Sequence, residues 1–270
     1  HKDILGEDIV LPSTGNGWFN NEYAWLRHID PDTGLPYFGF NYYYSMISAA
    51  NTILAHIDNV PGTEEERNQI KGEALVFRAH SHFQMVQLFG KRYVAGQENS
   101  QLGVPYRFEA NLEPQARNTV EEVYKWANED IDNAIKCLSS YQRKNINHFS
   151  QSVAYGIKAR IALVQENWPV AIEAATKALE TARAEGRELQ TGASLLGGFN
   201  NVERNSEWMW ASIMTTEQDL AFSHFFAYMS WNFNSTPVRK ATRCILDRLY
   251  AKISPTDIRA QWWDPTGTAE

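Results

Sequence analysis

The sequence predicts an all-α fold of paired helices with long loops and a few short strands. Three observations point there. Residues 64–89 form a helical run that is apolar on more than one face. Residues 41–58 carry a single clean apolar stripe, and residues 150–183 hold two short helices whose large and small residues are spaced for close helix packing. With 270 residues, 43% of them hydrophobic and 21% charged, the chain has material for a sizeable core and the balance of a globular protein.

Residues 1–40 are rich in breakers (Gly6, Pro12, Gly15, Gly17, Pro31, Gly34, Pro36) and read as an irregular segment. They also carry Trp18, Phe19, Tyr23, Trp25, Tyr37 and Phe38, with Asn20 and Asn21 among them. Loops seldom hold this many large rings without something to cover them. Asp30-Pro-Asp-Thr-Gly34 is a turn with calcium-compatible oxygens, but it lacks the EF-hand spacing, and no metal is expected there. The second element, residues 41–58, presents Tyr43, Ile47, Ala50, Leu54 and Ile57 at steps of four and three. Asn51 lies beside that stripe as a hydrogen-bond donor to backbone. Thr63 with Glu66 three residues on is a capping box that starts the long helix, and Gly90 is expected to stop it in a left-handed cap. That helix runs about 26 residues, or roughly 39 Å.

Residues 91–117, with Pro105 and Pro114, read as an extended connector. Thr119 and Glu122 form a second capping box, and the stripe from Val120 to Leu138 makes the next helix. In the pair 150–165 and 168–183, Tyr155, Ala159 and Ala162 are followed by Trp168, Ala171, Ala175 and Ala178. This is the pattern of a tetratricopeptide-like unit, a large residue, a small one and then another contact, and such units stack. Residues 191–205 are a Gly- and Asn-rich loop, Glu207–Ile213 reads as a short strand, and 238–251 as a helix. Residues 221–235 are dense in rings, with Trp231 and Asn234 among them. The organisation expected is one structural unit: residues 1–190 as the helical part and 191–270 as the start of a loop-rich part.

The net charge of −7 argues against nucleic acid, whose phosphates need a basic face. Cys137 and Cys244 do not make a disulfide framework, and Cys137 reads as a small core residue. No phosphate-binding glycine loop, HExxH or nucleophile elbow is present. His80 and His82 are two apart on a helix and point to different sides. Glu73 and Arg78, five apart on the long helix, are expected to pair with neighbouring helices rather than with each other. No catalytic residue, metal ligand or cofactor is therefore assigned. What remains is a helical scaffold with two aromatic-and-amide regions, 18–40 and 222–236. Flat rings stack on the apolar face of a pyranose, and amides read its hydroxyls. Candidate ligand residues are Trp18, Asn20, Trp25, Tyr37, Trp231 and Asn234. Peptides would use much the same groups, so both ligand classes stay open, and a tetratricopeptide-type scaffold for a protein or peptide is the alternative reading.

The run Gly72-Glu-Ala-x-x-x-Arg78-Ala-x-x-x-Phe83-x-x-Val86-x-x-Phe89-Gly90 resembles the SusD/RagB family. So do Tyr43-x-x-x-Ile47-x-x-Ala50-Asn51, Arg117-x-Thr119-Val-x-Glu122-Val-Tyr124 with Asp130, Trp168-x-x-Ala171, and Thr256-Asp257-x-Arg259. The resemblance implies a SusD-like fold in which tetratricopeptide-like helix pairs support a loop-rich half. It implies a non-enzymatic lipoprotein on the cell surface, held in the outer membrane of Bacteroidetes-type bacteria by an N-terminal lipid anchor that this sequence does not contain. It further implies nutrient uptake: glycans, sometimes peptides, are captured over a SusC-like TonB-dependent barrel transporter. Family members are considerably longer, so much of the loop-rich half is expected to lie outside this sequence, and no ligand-contacting motif carries over.

Overall fold

The computed structural model describes residues 6, 8–10, 20–26, 28–31, 34–198, 201, 205–213 and 244–263. They fall into two units, one of His1–Tyr37, Gln190–Arg204 and Ile213–Glu270, the other of Phe38–Leu189 and Asn205–Ser212. The fold is all-α, with short strands only.

In the first unit, β1 (Ile9–Val10) pairs antiparallel with β2 (Cys244–Ile245), Ile9 facing Ile245 and Val10 facing Cys244. Short helices α1 (Asn20–Tyr23), α7 (Gly192–Leu196) and α8 (Asp247–Tyr250) and a 3-10 turn at Ile258–Trp262 make up the rest of its described regular structure, with α7 against that turn. The helix expected over 238–251 is thus confined to α8 among the described residues. Its predicted middle is strand, because Cys244 and Ile245 find a partner in β1 and a ladder outcompetes an isolated turn.

The second unit holds the core. Most of α2 (Gly34–His56) belongs to it, followed by a 3-10 turn at Ile57–Asn59, α3 (Glu64–Phe89), α4 (Val120–Cys137), α5 (Gln151–Val164) and α6 (Trp168–Ala184). Helix α2 starts seven residues before the expected position. Gly34 and Pro36 read as breakers, but in a first turn proline gives up no hydrogen bond and its fixed φ suits the helix. Both capping boxes form: Thr63 accepts from the Glu66 amide and Thr119 from the Glu122 amide, and each glutamate reaches back. Helix α3 buries residues on several faces, from Gly72 through Val86, and packs on α4 and α5. Helix α4 also packs on α5, and α5 on α6.

Two glycines act through space rather than through conformation. Gly90 ends α3 with φ −100° and ψ 171°, which is extended rather than left-handed. A side chain there would bring Cβ within 2.6 Å of the Val86 carbonyl oxygen, so the constraint is a close approach. At Gly72 a Cβ would lie 2.7 Å from Leu138 Cγ and 3.1 Å from Cys137 Cβ, which fixes how closely α3 meets the end of α4.

In α6 the buried row is Ala171, Ala174, Ala178 and Ala182, so the alanine face seats the helix on α5. Trp168 and Ala175, expected on that face, turn outward; the row that packs follows the 174/178/182 spacing instead. Glu207–Ile213 forms no strand, since no described segment offers it a ladder. Trp210 instead stacks on Phe149 at 5.0 Å and donates from Nε1 to the Asn147 carbonyl. The 91–117 connector is core, not spacer: Val104 and Tyr106 are buried, and across its neck the Gly103 amide donates to the Asn118 carbonyl while the Asn118 amide donates to the Val104 carbonyl.

Candidate functional site

A buried polar network positions the connector, and the connector forms one wall of a cleft. Arg78 of α3 meets Asp130 of α4 through two hydrogen bonds of 2.7 Å, Nε to Oδ2 and the second nitrogen to Oδ1. Both side chains are at most 10% exposed. The Tyr106 hydroxyl donates to the same Asp130 Oδ2 at 2.6 Å. Burial works against the Arg78 charge, but Asp130 outweighs it and holds the guanidinium proton more tightly than usual. Burial and the Asp130 charge push the Tyr106 phenol well up. The remaining Arg78 nitrogen donates to Asn51 Oδ1 on α2, and Asn51 Nδ2 donates to the Arg107 carbonyl at 2.9 Å.

His82, one turn after Arg78, completes the link. Its Nδ1 donates to the Arg78 carbonyl and its Nε2 accepts the Arg107 amide proton at 3.1 Å, because a carbonyl only accepts and an amide only donates. The ring is therefore neutral and its tautomer is set. Burial, with the nearby Arg78 charge, pushes its pKa down to about 3. The ring stacks on Tyr106 at 3.6 Å. Arg78, Asp130, Asn51 and His82 thus hold residues 106–107 against three helices.

Beyond that anchor lies an open cleft of about 350 Å³ between α2 and residues 105–115. Ile47 and Pro105 line its apolar part, and Phe40 and Tyr44 line the α2 side. Phe40 is braced by Tyr44 at 4.6 Å and by Phe89 at 5.7 Å, yet remains 44% exposed. The Tyr44 hydroxyl donates to the Pro105 carbonyl, tying the two walls together. Across the cleft, Arg107 donates to the Glu113 carbonyl and to Asn111, so its guanidinium shapes the loop. Glu109 spends one oxygen on Asn111 Nδ2, and Gln115 spends its amide NH₂ on the Tyr106 carbonyl. Among the described residues, the second Glu109 oxygen, the Gln115 Oε1 and the Ser48 hydroxyl take no partner, and all three side chains line the cleft.

Three of the residues proposed from sequence, Trp18, Trp231 and Asn234, lie outside the described residues. Asn20 and Trp25 share one short turn, where the Asn20 carbonyl accepts from Ala24. Trp25 is 57% exposed, has a positive φ of 58°, and meets His28 edge-on at 5.1 Å. Tyr37, in the first turn of α2, is 67% exposed. Among the described residues no ring contact joins Trp25 to Tyr37. Phe40, Tyr44, Glu109 and Gln115 escaped the sequence reading. Their signal was the Phe40/Tyr44 spacing of four on a helix, with a run of carboxylates and amides between Glu109 and Asn118. Asn51 and Arg78 behave as expected: Asn51 bonds backbone and Arg78 pairs with α4, whereas Glu73, expected to meet a neighbouring helix, instead accepts from His148 in the loop before α5. Among the described residues no group of three His, Cys, Asp or Glu is placed to hold a metal, and no helix is long and apolar enough to cross a membrane.

Residues 9–163 match a family model described as SusD-like, "starch-binding associating with outer membrane". Among solved structures, the chain superposes on a SusD-like carbohydrate-binding protein of Bacteroides vulgatus with TM-score 0.70 and 26% identity, covering 80% of this chain and 44% of that one. A second Bacteroides vulgatus protein, assigned to sugar binding, gives TM-score 0.80 and 25% identity over 95% of this chain and 57% of that one. A SusD superfamily protein of Bacteroides thetaiotaomicron shares the fold, with TM-score 0.75 and 21% identity over 95% and 56% of the two chains. The chain spans about half the length of these structures. No curated protein matches it.

Proposed function

Since the chain belongs to the SusD-like family whose description is starch-binding with outer-membrane association, we propose that it is the surface glycan-capturing component of a TonB-dependent nutrient-uptake complex. The observation that carries this reading is the family match over residues 9–163, the stretch that also contains the aromatic-and-amide cleft. Sugar binding by one similar structure, which its description states, supports the ligand class. In this reading the protein binds oligosaccharides without cleaving them, is tethered to the outer membrane by lipid, and hands its ligand to a SusC-like barrel. The helical part and the residues after 190 act as one SusD-like unit.

Isothermal titration of the intact protein against starch, other polysaccharides and peptides tests it. Binding of one polysaccharide class with no turnover is the expected result. A folded protein that binds none of them, or that releases shortened sugars, sinks the reading. Trp25→Ala and Trp231→Ala should each weaken binding roughly tenfold if those rings stack on ligand. A variant that lowers only the melting temperature marks its tryptophan as core.

A protein-binding role is favoured by one feature. Trp168, Ile172 and Leu179 form an exposed apolar row on α6, beside the alanine face that packs on α5. Substituting that row with serine separates the two readings, because loss of a protein partner with sugar affinity intact would assign the surface to assembly.

A further inference from the structure

The cleft between α2 and residues 105–115 has the parts of a sugar site and contains none of the six candidate residues named from sequence, although Phe40 closes the 18–40 region. We propose that it is a subsite for one neutral pyranose unit of the captured glycan, stacked on Phe40 and read by Glu109 and Gln115. The inference rests on the glycan-capture reading above and adds where a sugar ring sits and which sugars are refused.

Four features lead to it. Phe40 is held from two sides by Tyr44 and Phe89 and still exposes 44% of its surface, so the ring is fixed before any ligand arrives. A preset ring spares the ordering entropy that a loose one would lose on binding. The cleft's volume of about 350 Å³ falls within the range of about 300–1,000 Å³ usual for small-molecule sites. Its polar atoms without a partner among the described residues are acceptors or hydroxyl: one Glu109 oxygen, Gln115 Oε1 and Ser48 Oγ, suited to the O–H donors around a pyranose. Finally, Leu112 stands fully exposed at the rim and lines the cleft, where it would cover the apolar face of a bound ring.

The charge pattern narrows the ligand. The Arg107 guanidinium already donates to the carbonyls of Glu113 and Asn111 and to Asn111 Oδ1. These bonds to neutral oxygens occupy three of its five N–H groups and leave its charge in place, so the cleft carries one cation and one anion, and among the described residues one Glu109 oxygen is uncommitted. A uronate carboxylate set against Glu109 would meet a like charge, while the Arg107 nitrogen that both bidentate edges of the guanidinium share already donates twice to Asn111, so no complete fork is open to it. A neutral hexose meets no such penalty.

The support beneath the cleft is rigid. Residues 106–107, at the root of its wall, are fastened by Asp130, His82 and Asn51. Mutual placement of ring and acceptors therefore persists without ligand, as a preorganised site requires.

The test is isothermal titration of the intact protein with maltoheptaose, cellohexaose, xylohexaose and an oligogalacturonide, using wild type, Phe40→Ala, Leu112→Ser and Glu109→Gln, each checked by thermal melt. Phe40→Ala should weaken binding of the neutral ligand roughly tenfold. Leu112→Ser should weaken it about threefold with an unchanged melt, because that side chain touches solvent in the free protein. Glu109→Gln should raise the relative affinity for the oligogalacturonide. Neutral binding that is undiminished in both Phe40→Ala and Leu112→Ser overturns the subsite and leaves glycan capture standing. Wild type that binds none of the four sugars, nor starch, overturns glycan capture and the subsite with it. A wild-type preference for the oligogalacturonide overturns the assignment to neutral sugars.

Discussion

Replacing Asp130 with alanine is the sharpest probe of the network beneath the cleft. The change removes the acceptor of three hydrogen bonds: Arg78 Nε and its terminal nitrogen at 2.7 Å each, and the Tyr106 hydroxyl at 2.6 Å. At about 1.5–3 kcal/mol for a bond to a charged group, three sum to roughly 4.5–9 kcal/mol. The loss is smaller in practice, because Arg78 keeps Asn51 and its place over the Phe108 ring, and water can enter the vacated space. Breaking one partner of a buried pair costs about 3–5 kcal/mol, and that is the expected value here. For a protein of this size it corresponds to a melting point lowered by about 6–20 °C. Urea unfolding followed by circular dichroism measures it directly. The double variant Arg78→Met with Asp130→Leu should recover much of the loss, since an apolar pair leaves no stranded charge. If Asp130→Ala alone costs under about 1 kcal/mol, the pair is solvated in practice and the account of a rigid, dry anchor is wrong.

Other expectations bear on the same scaffold. Gly72→Ala should destabilise by about 1–3 kcal/mol, although alanine is the better helix former by about 1 kcal/mol, because the new Cβ would stand 2.7 Å from Leu138 Cγ; denaturation midpoints decide the sign. His82 stays neutral in the folded protein down to about pH 3, whereas in the unfolded chain it takes up a proton near pH 6.5. Between those values the unfolded state binds the extra proton, so stability falls as pH drops, by up to about 1.4 kcal/mol per unit from this residue. His82→Gln should flatten that limb, and equal slopes in the two proteins would refute it. Thr119→Ala should lose about 1 kcal/mol by leaving the Glu122 amide of α4 uncapped, readable as a lower urea midpoint with unchanged m-value.

The helices were legible because each carries its own start signal and stripe. Thr63 with Glu66 and Thr119 with Glu122 mark α3 and α4 to the residue, and the alternation in 150–183 marks α5 and α6. What escaped was everything set by a partner distant in sequence. Pro36 reads as a breaker until one knows that it sits in a first turn. Gly90 reads as a left-handed cap, while the crowding by the Val86 carbonyl is visible only in three dimensions. Cys244 is strand because of Ile9–Val10, more than two hundred residues away in the chain. The cleft escaped for the same reason. Composition picks out dense aromatic loops, such as the one holding Trp18 and Trp25, and it underweights two rings one helical turn apart facing a connector of ordinary polarity.

The family motif and the cleft are connected by that distant pairing. Arg78 belongs to the Gly72–Gly90 run and Asp130 to the following helix; alone, each is an isolated charge in an amphipathic pattern. Their side chains meet across α3 and α4, and the Tyr106 hydroxyl and Arg107 backbone fasten to Asp130, His82 and Asn51 around them. Four motif or near-motif residues on three helices thus fix two residues of an otherwise irregular segment. Beyond them, Glu109 and Leu112 are free to differ in sequence without loss of the anchor, because neither side chain bonds to it, whereas Phe108 lies against Arg78 and Gln115 donates to the Tyr106 carbonyl. A scaffold of this kind separates the part that must stay constant for folding from the part that selects a ligand. It also predicts where specificity can be changed at little cost to stability. Substitutions at Glu109 and Leu112 should alter which sugar binds and leave the melting temperature within about 2 °C, the scale of a surface change of up to 0.5 kcal/mol. Substitutions at Asp130 or His82 should do the reverse. If Glu109 and Leu112 variants unfold as readily as Asp130→Ala, wall and anchor are one cooperative element and the separation does not exist.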